Sequence, residues 1–262
     1  MSYKTIEIKR EDSIVTVWMN RPEKHNAFDE TMIEELTDVF AELSKTDDLR
    51  VVVLRGKGKS FCAGADLNYM KDIAKFGYQE NYKDGKRLAT LFKTVYMCPH
   101  PTIAIVQGAA FGGANGLLAA CDIVIAEQNS IFAFSEVKIG ISPATIGPYV
   151  LKRIGEFGGK ELMMTGMKFK GKEAEKFGLV NKAVPEQKME DTLQEYINKF
   201  MTSAPKAVEV TKVMINTLTN DFMTLTDAMD YTADIIARLR DADEGQEGMA
   251  AFLEKRKPEW VK

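Results

Sequence analysis

The sequence predicts a layered α/β fold with a helical extension. Two patterns carry that reading. Short apolar, β-like runs alternate with stretches of helical spacing through most of the chain, and beyond about Ala204 only helical spacing remains. A chain of 262 residues can bury a sizeable core, and one main domain over residues 1–203 with a helical region over 204–262 is expected.

The elements follow in order. TIEIKRED and SIVTVWMN alternate like hairpin strands that turn near Glu11 and Asp12. NRPEKHNAF breaks the pattern. From Asp29, ETMIEELTDVFAELSKTDD has helical spacing, and LRVVVLRG reads as a buried strand stopped by Gly56 before the loop KGKSFCAGADL. A polar helical stretch to about Tyr96 leads to the strand PTIAIVQG, a run of glycines, the helix ANGLLAACD and the strand DIVIAEQ. SIFAFSEVKIG, PATIGPYVLKRIG and a helically spaced segment near FGGKELMMTG continue the alternation, without a repeat of fixed period. After Ala204, PKAVEVTKVMINTL and DAMDYTADIIARLRD read as amphipathic helices that pack on the body or on another subunit.

Composition narrows the function classes. With 28% charged residues and 45% in the hydrophobic set, the chain reads as an ordinary soluble protein. A net charge of -3 and no basic-aromatic stripe argue against nucleic acid as a partner. Cys62, Cys98 and Cys121 are scattered without CxxC spacing, so neither a disulfide framework nor a metal site is expected. The charged, strand-like N-terminus shows no targeting signal and no apolar run suits a membrane span; a cytoplasmic location is expected.

Chemistry concentrates in two glycine-containing loops. FGGANGLLAACDIVIA places Gly112, Gly113 and Gly116 within five residues, but lacks the GxGxxG and GK[ST] patterns of nucleotide loops. Both SFCAGADL and AAFGGANGL follow an apolar run and leave backbone N–H groups accessible. Two helix starts facing each other suit one oxygen that becomes negative, which is an oxyanion hole.

Taken together, NRPEKHNAF, VVVLRGKGKSFCAGADL, PTIAIVQGAAFGGANGLLAACDIVIA, FSEVKIGISP, KEAEKFGLVNKAV and EGMAAFLEKRKPEW resemble, in order and spacing, the crotonase or enoyl-CoA hydratase/isomerase superfamily over nearly the whole chain. The resemblance implies a spiral of repeated ββα units followed by a helical trimerisation region, as a homotrimer or hexamer. It implies an acyl-CoA substrate, with coenzyme A as part of that substrate and no separate cofactor. Its carbonyl oxygen is held by two backbone N–H groups, carried here onto Ala63 and Gly113. Of two family glutamates, the second aligns with Glu136; the first aligns with Gly116, a departure.

Space is the reason considered for that glycine: without a carboxylate there, a branched or anionic acyl group gains room and loses a repelling charge. FCAGADLNYM and SEVKIGISPATIGPYVLKRIG look like the bacterial methylglutaconyl-CoA hydratase branch of leucine breakdown. In that reading Glu136 activates the water. The resemblance lays coenzyme A along Lys24, Ala27, Ala63, Ala65, Asp66 and Leu67, with Lys255 reaching phosphates from its own or a neighbouring subunit. Tyr149 is a candidate for the acyl pocket, and Lys86 and Arg87 are candidates for a distal carboxylate. An isomerase, a thioester hydrolase or a decarboxylase on the same scaffold is the alternative, and an RNA-binding relative a remoter one. A Clp-type peptidase needs a nucleophile paired with histidine, and neither His25 nor His100 shows that pattern.

Overall fold

The computed structural model describes residues 3–220 and 222–261. The hairpin is β1 (Ile6–Glu11) and β2 (Ile14–Met19), paired antiparallel, with Asp12 at φ 53° in the turn. Helix α1 (Glu30–Leu43) is capped by Asp29, whose carboxylate accepts from the Met32 N–H at 2.8 Å, and it buries Met32, Ile33, Leu36, Val39, Phe40 and Leu43 as one stripe. Then come β3 (Val51–Gly56), α2 (Leu67–Ile73), α3 (Tyr78–Met97), β4 (Thr102–Val106), β5 (Ala109–Phe111) and α4 (Gly113–Ala120). They are followed by β6 (Ile123–Glu127), β7 (Ile131–Ala133), a 3-10 turn Ser135–Ile139 and α5 (Gly147–Thr165).

Strands β4 and β5 are separated only by Gln107 and Gly108, and there the chain leaves one sheet for the other. The larger sheet has the order β1-β2-β3-β4-β6-β9, where β9 is Lys182–Val184, and is parallel from β2 onward. The smaller has the order β5-β7-β8, where β8 is Lys168–Lys170. Each turn, β4-β5-α4 and then β6-β7-α5, gives one strand to each sheet before a helix returns the chain. This is the spiral of ββα units.

The rest of the chain is helical: α6 (Gly171–Phe177), α7 (Met189–Thr202), α8 (Pro205–Asn220), α9 (Leu225–Asp241) and α10 (Asp243–Glu254). Helix α7 sets Met189, Leu193 and Ile197 against Val51, Val53, Ile103, Ile105 and Ile125 of the large sheet, while the opposite face packs on α1, α3 and α4. Strand β4 is therefore buried on both faces, which is why it reads as an unbroken apolar run. PATIGPYVLKRIG and FGGKELMMTG contribute to a single element, α5, that breaks at Gly155.

Helices α8 to α10 leave large apolar side chains exposed, among them Leu225, Met229, Phe252 and Leu253. The attachment of α8 is polar and buried: Lys212 Nζ donates to Asp122 Oδ2 at 2.7 Å and to the His100 carbonyl at 3.1 Å. Asp122 also accepts from the Thr102 N–H and hydroxyl, so the ion pair is fixed to the end of β4. No helix among the described residues is long and apolar enough to cross a membrane.

Candidate active site

The NRPEKHNAF segment is a clamp. Asn26 is buried, its Oδ1 accepts from the Arg21 N–H at 2.9 Å, and its Nδ2 donates to the carbonyls of Lys57 and Ser60, each at 2.8 Å. His25 and Asn26 both adopt left-handed backbone, at φ 50° and 54°. Such conformations cost free energy and persist where surrounding bonds hold them. Arg21 spreads its guanidinium between the Ala27 carbonyl at 2.7 Å, Asp29 at 3.1 Å and Asp66 at 3.0 Å. The loop of residues 57–66 is thereby fixed from one side.

On its other side the loop runs parallel to β5: Cys62 N–H donates to the Ala109 carbonyl and Phe111 N–H to the Cys62 carbonyl, both at 3.1 Å. Ala63 N–H donates to the His25 carbonyl at 3.0 Å, and Asp66 N–H to the Phe28 carbonyl at 2.8 Å. Successive N–H groups of an extended chain point to opposite sides, so residues 63 and 66 can face the same clamp only if the alternation reverses between them. Gly64, at φ +95°, is that reversal. Ala65 is left with its N–H on the side away from the clamp, exposed and without a hydrogen bond among the described residues. The assignment of Ala63 as a donor to substrate is corrected: its N–H is already spent, and Ala65 offers the free one.

Gly113 is the second candidate donor. Gly113 opens α4, so its N–H has no acceptor within the helix. Gly112 before it has φ 53° and ψ -124°, a backbone suited to glycine alone. Buried Asn115 ties the helix start to β5 and β7 of the small sheet, donating to the Ala133 carbonyl at 2.9 Å and the Ala110 carbonyl at 3.3 Å. At the far end Arg153 donates to the carbonyls of Cys121 at 2.6 Å and Leu118 at 3.2 Å, placing positive charge at the negative end of the helix.

Glu136 projects from the 3-10 turn so that its Oε1 lies 3.3 Å from where a Cβ on Gly112 would stand. Its Oε2 is buried and has no partner. Burial pushes its carboxyl above the ordinary value, and no cation offsets the effect. A carboxylate with a buried, unpartnered oxygen beside a helix N-terminus is the arrangement expected of a proton carrier.

Gly116 differs from its expectation. A Cβ there would stand 2.4 Å from Ile146 Cγ2 and 2.8 Å from Phe92 Cζ. The place of a side chain is filled by these two residues instead of being open to an acyl group, so Gly116 is a glycine of close packing. Tyr149 lies behind this plug, edge-on to Phe92 with ring centroids 6.2 Å apart and 5.3 Å from Tyr96. Arg87 is held by Glu30 at 2.7 Å, Glu34 at 3.5 Å and Asp84 at 3.7 Å, and is not free for a distal carboxylate. Lys86 is exposed.

The coenzyme side divides too. Asp66 is committed: it caps α2 by accepting from the Asn68 N–H and pairs with Arg21. Burial alone would raise its carboxyl, but those bonds outweigh burial and hold it below the usual range. Ala27 is buried, with its carbonyl taken by Arg21, while Lys24, Leu67 and Lys255 are exposed. His25 Nδ1 sits 3.2 Å from Ser60 Oγ, and buried His100 Nδ1 sits 3.1 Å from Glu209, both away from Glu136 in the chain's hydrogen bonding. Sequence reasoning missed Phe92 and Ile146, because Phe92 reads as an ordinary member of the apolar stripe of α3 and Ile146, just before α5, as an ordinary apolar residue at a helix start.

Known proteins share this fold and sequence. A short-chain-enoyl-CoA hydratase of Clostridium acetobutylicum is 32% identical over 269 residues, covering 100% of this chain and 99% of the relative. The crystal structure of an enoyl-CoA hydratase from Shewanella pealeana superposes with a TM-score of 0.93 at 35% identity, over 98% of this chain and 96% of that one. Pseudomonas aeruginosa AtuE superposes at 0.95 with 31% identity, over 99% and 100% of the two chains. Residues 9–262 match the enoyl-CoA hydratase/isomerase family as a whole, and the chain belongs to that family.

Proposed function

We propose that the chain is an enoyl-CoA hydratase in which Glu136 is the sole proton carrier. The observation that carries this reading is the unpartnered Glu136 Oε2 against Gly112 at the start of α4, with the Gly113 N–H next in the chain and the Ala65 N–H free in the loop that runs along β5. The thioester carbonyl oxygen sits between those two donors. Water gives a proton to the Glu136 carboxylate while its oxygen bonds to the β-carbon, and the electron pair of the double bond moves onto the thioester as an enolate. Glu136 then returns the proton to the α-carbon, so one water has been added and the enzyme is unchanged. Loss of one donor of this kind costs about 10²–10³ in rate. The reverse path is dehydration.

The finer substrate proposal is 3-methylglutaconyl-CoA, hydrated to 3-hydroxy-3-methylglutaryl-CoA. It is supported by the likeness of FCAGADLNYM and SEVKIGISPATIGPYVLKRIG; the spatial argument once attached to Gly116 does not add to it. Coenzyme A lies past exposed Lys24, Ala65 and Leu67, with Lys255 as a phosphate contact. Assembly as a trimer or hexamer is supported by the exposed apolar faces of α9 and α10.

The test is water addition to crotonyl-CoA, 3-methylcrotonyl-CoA and 3-methylglutaconyl-CoA, followed by loss of the conjugated thioester absorbance and product identification. Turnover led by the last substrate supports the finer reading. Turnover led by crotonyl-CoA removes it and keeps the hydratase. Double-bond migration without water addition replaces the hydratase by an isomerase.

A further inference from the structure

We infer that Phe92, with Ile146, is the size limit of the acyl pocket, a role that rests on the acyl-CoA reading of the site. Residues 113 and 116 lie on one face of α4, being three apart on a helix. The Cβ positions of both point at the same ring: Phe92 Cζ is 3.8 Å from that of Gly113 and 2.8 Å from that of Gly116. Gly113 supplies an N–H to the thioester oxygen, so the ring stands directly behind the point where the acyl chain starts. Phe28 closes the other flank, with Cε2 at 3.4 Å from the Gly113 position.

The three residues fit as a unit. Any side chain at 116 displaces Phe92 or Ile146, and the glycine there weakens the helix, so the arrangement is not one that helix propensity favours. Phe92 and Ile146 are both buried, and Tyr149 braces the far side of the Phe92 ring. An acyl chain held at Gly113 meets this wall within a few carbons. Short acyl groups fit; longer ones require the ring to leave.

Truncating the ring opens a cavity continuous with the acyl start. A pure core residue would lose stability on truncation without changing which acyl groups bind. The two roles therefore separate in a measurement that needs no chemistry: binding of free coenzyme A, butyryl-CoA and octanoyl-CoA by calorimetry to the intact protein, its Phe92→Ala variant and the milder Phe92→Leu. The expected result is that the preference for octanoyl-CoA over butyryl-CoA rises at least roughly tenfold in Phe92→Ala, the gain from admitting about two methylenes, and by a smaller factor in Phe92→Leu. Free coenzyme A binds all three alike. An unchanged ratio in a folded variant overturns the size limit and leaves the hydratase reading standing; if Phe92→Ala does not fold, Phe92→Leu decides. Absence of binding by any acyl-CoA to the intact protein overturns both.

Discussion

The two sides of the first turn of α4 are built on opposite principles. On the side of Gly112 stands Glu136, a carboxylate in a buried place with one oxygen unpartnered. On the side of Gly116 stand Phe92 and Ile146, packed until no Cβ fits between them and the helix. The first arrangement costs folding free energy and supplies reactivity; the second contributes packing and shape. A site with carboxylates on both sides would carry the desolvation cost twice. Here one side has been given over to the core, and proton transfer is left to a single group.

The largest effect that tests this contrast is Glu136→Gln. Hydration falls by at least about 10²-fold, since the amide cannot take a proton from water. Stability moves the other way. The Glu136 carboxyl is raised in the folded chain, so its contribution to stability is present below the ordinary carboxyl value near 4.5 and lost as pH rises through the folded value. The variant therefore melts higher than the parent at pH 7–8, with the gap closing toward pH 4. In the parent, activity has an acid limb above the ordinary carboxyl range, because the base works only when ionised. Calorimetric melts and a kcat/KM profile check both. A variant that melts lower at neutral pH contradicts the unpaired burial of this group.

Next comes Gly116. Alanine gains up to about 1 kcal/mol of helix propensity but overpacks the plug, at a cost of about 1–3 kcal/mol. A net loss is expected, read as a lower urea midpoint with an unchanged slope. Glutamate has still less room, so Gly116→Glu is expected to destabilise rather than to exchange one acyl preference for another. Combined with Phe92→Ala, it recovers stability relative to the single Gly116→Glu variant. Full stability in Gly116→Glu alone means that the plug yields easily.

Much of this was legible in the sequence, and the misses have physical causes. The hairpin, α1, the β3 to β4 alternation and the helix after Gly113 follow from local periodicity and glycine placement. Glu136 and Gly113 are candidates because motif order places them. Ala63 was misassigned because all small residues of SFCAGADL look equally able to expose an N–H; only the φ of +95° at Gly64 decides which one turns away from the clamp. The empty space imagined at Gly116 was misread for a related reason. A missing side chain is visible in a sequence, while the ring that fills its place comes from a helix some twenty residues earlier. The 3-residue strands β5, β8 and β9 had too little pattern to be read from periodicity.

The smallest expected effect concerns Tyr149, and it separates lining a pocket from supporting its wall. The sequence made Tyr149 a candidate for acyl contact, whereas the structure sets its ring against Phe92 and Tyr96. Burial pushes its phenol above the ordinary value, so at neutral pH the hydroxyl is protonated and neutral. If the ring is what matters, Tyr149→Phe leaves turnover on each enoyl-CoA within about twofold and stability within about 0.5 kcal/mol. Tyr149→Ala removes the aromatic pairing, worth about 0.5–1.5 kcal/mol beyond the lost burial, and frees the Phe92 ring to shift. It should then relax acyl size selection in the same direction as Phe92→Leu, though less. The ratio of kcat/KM between short and longer enoyl-CoAs measures this. A loss of turnover in Tyr149→Phe, with the ratio unchanged in Tyr149→Ala, would return the hydroxyl to the site and remove the ring from the wall.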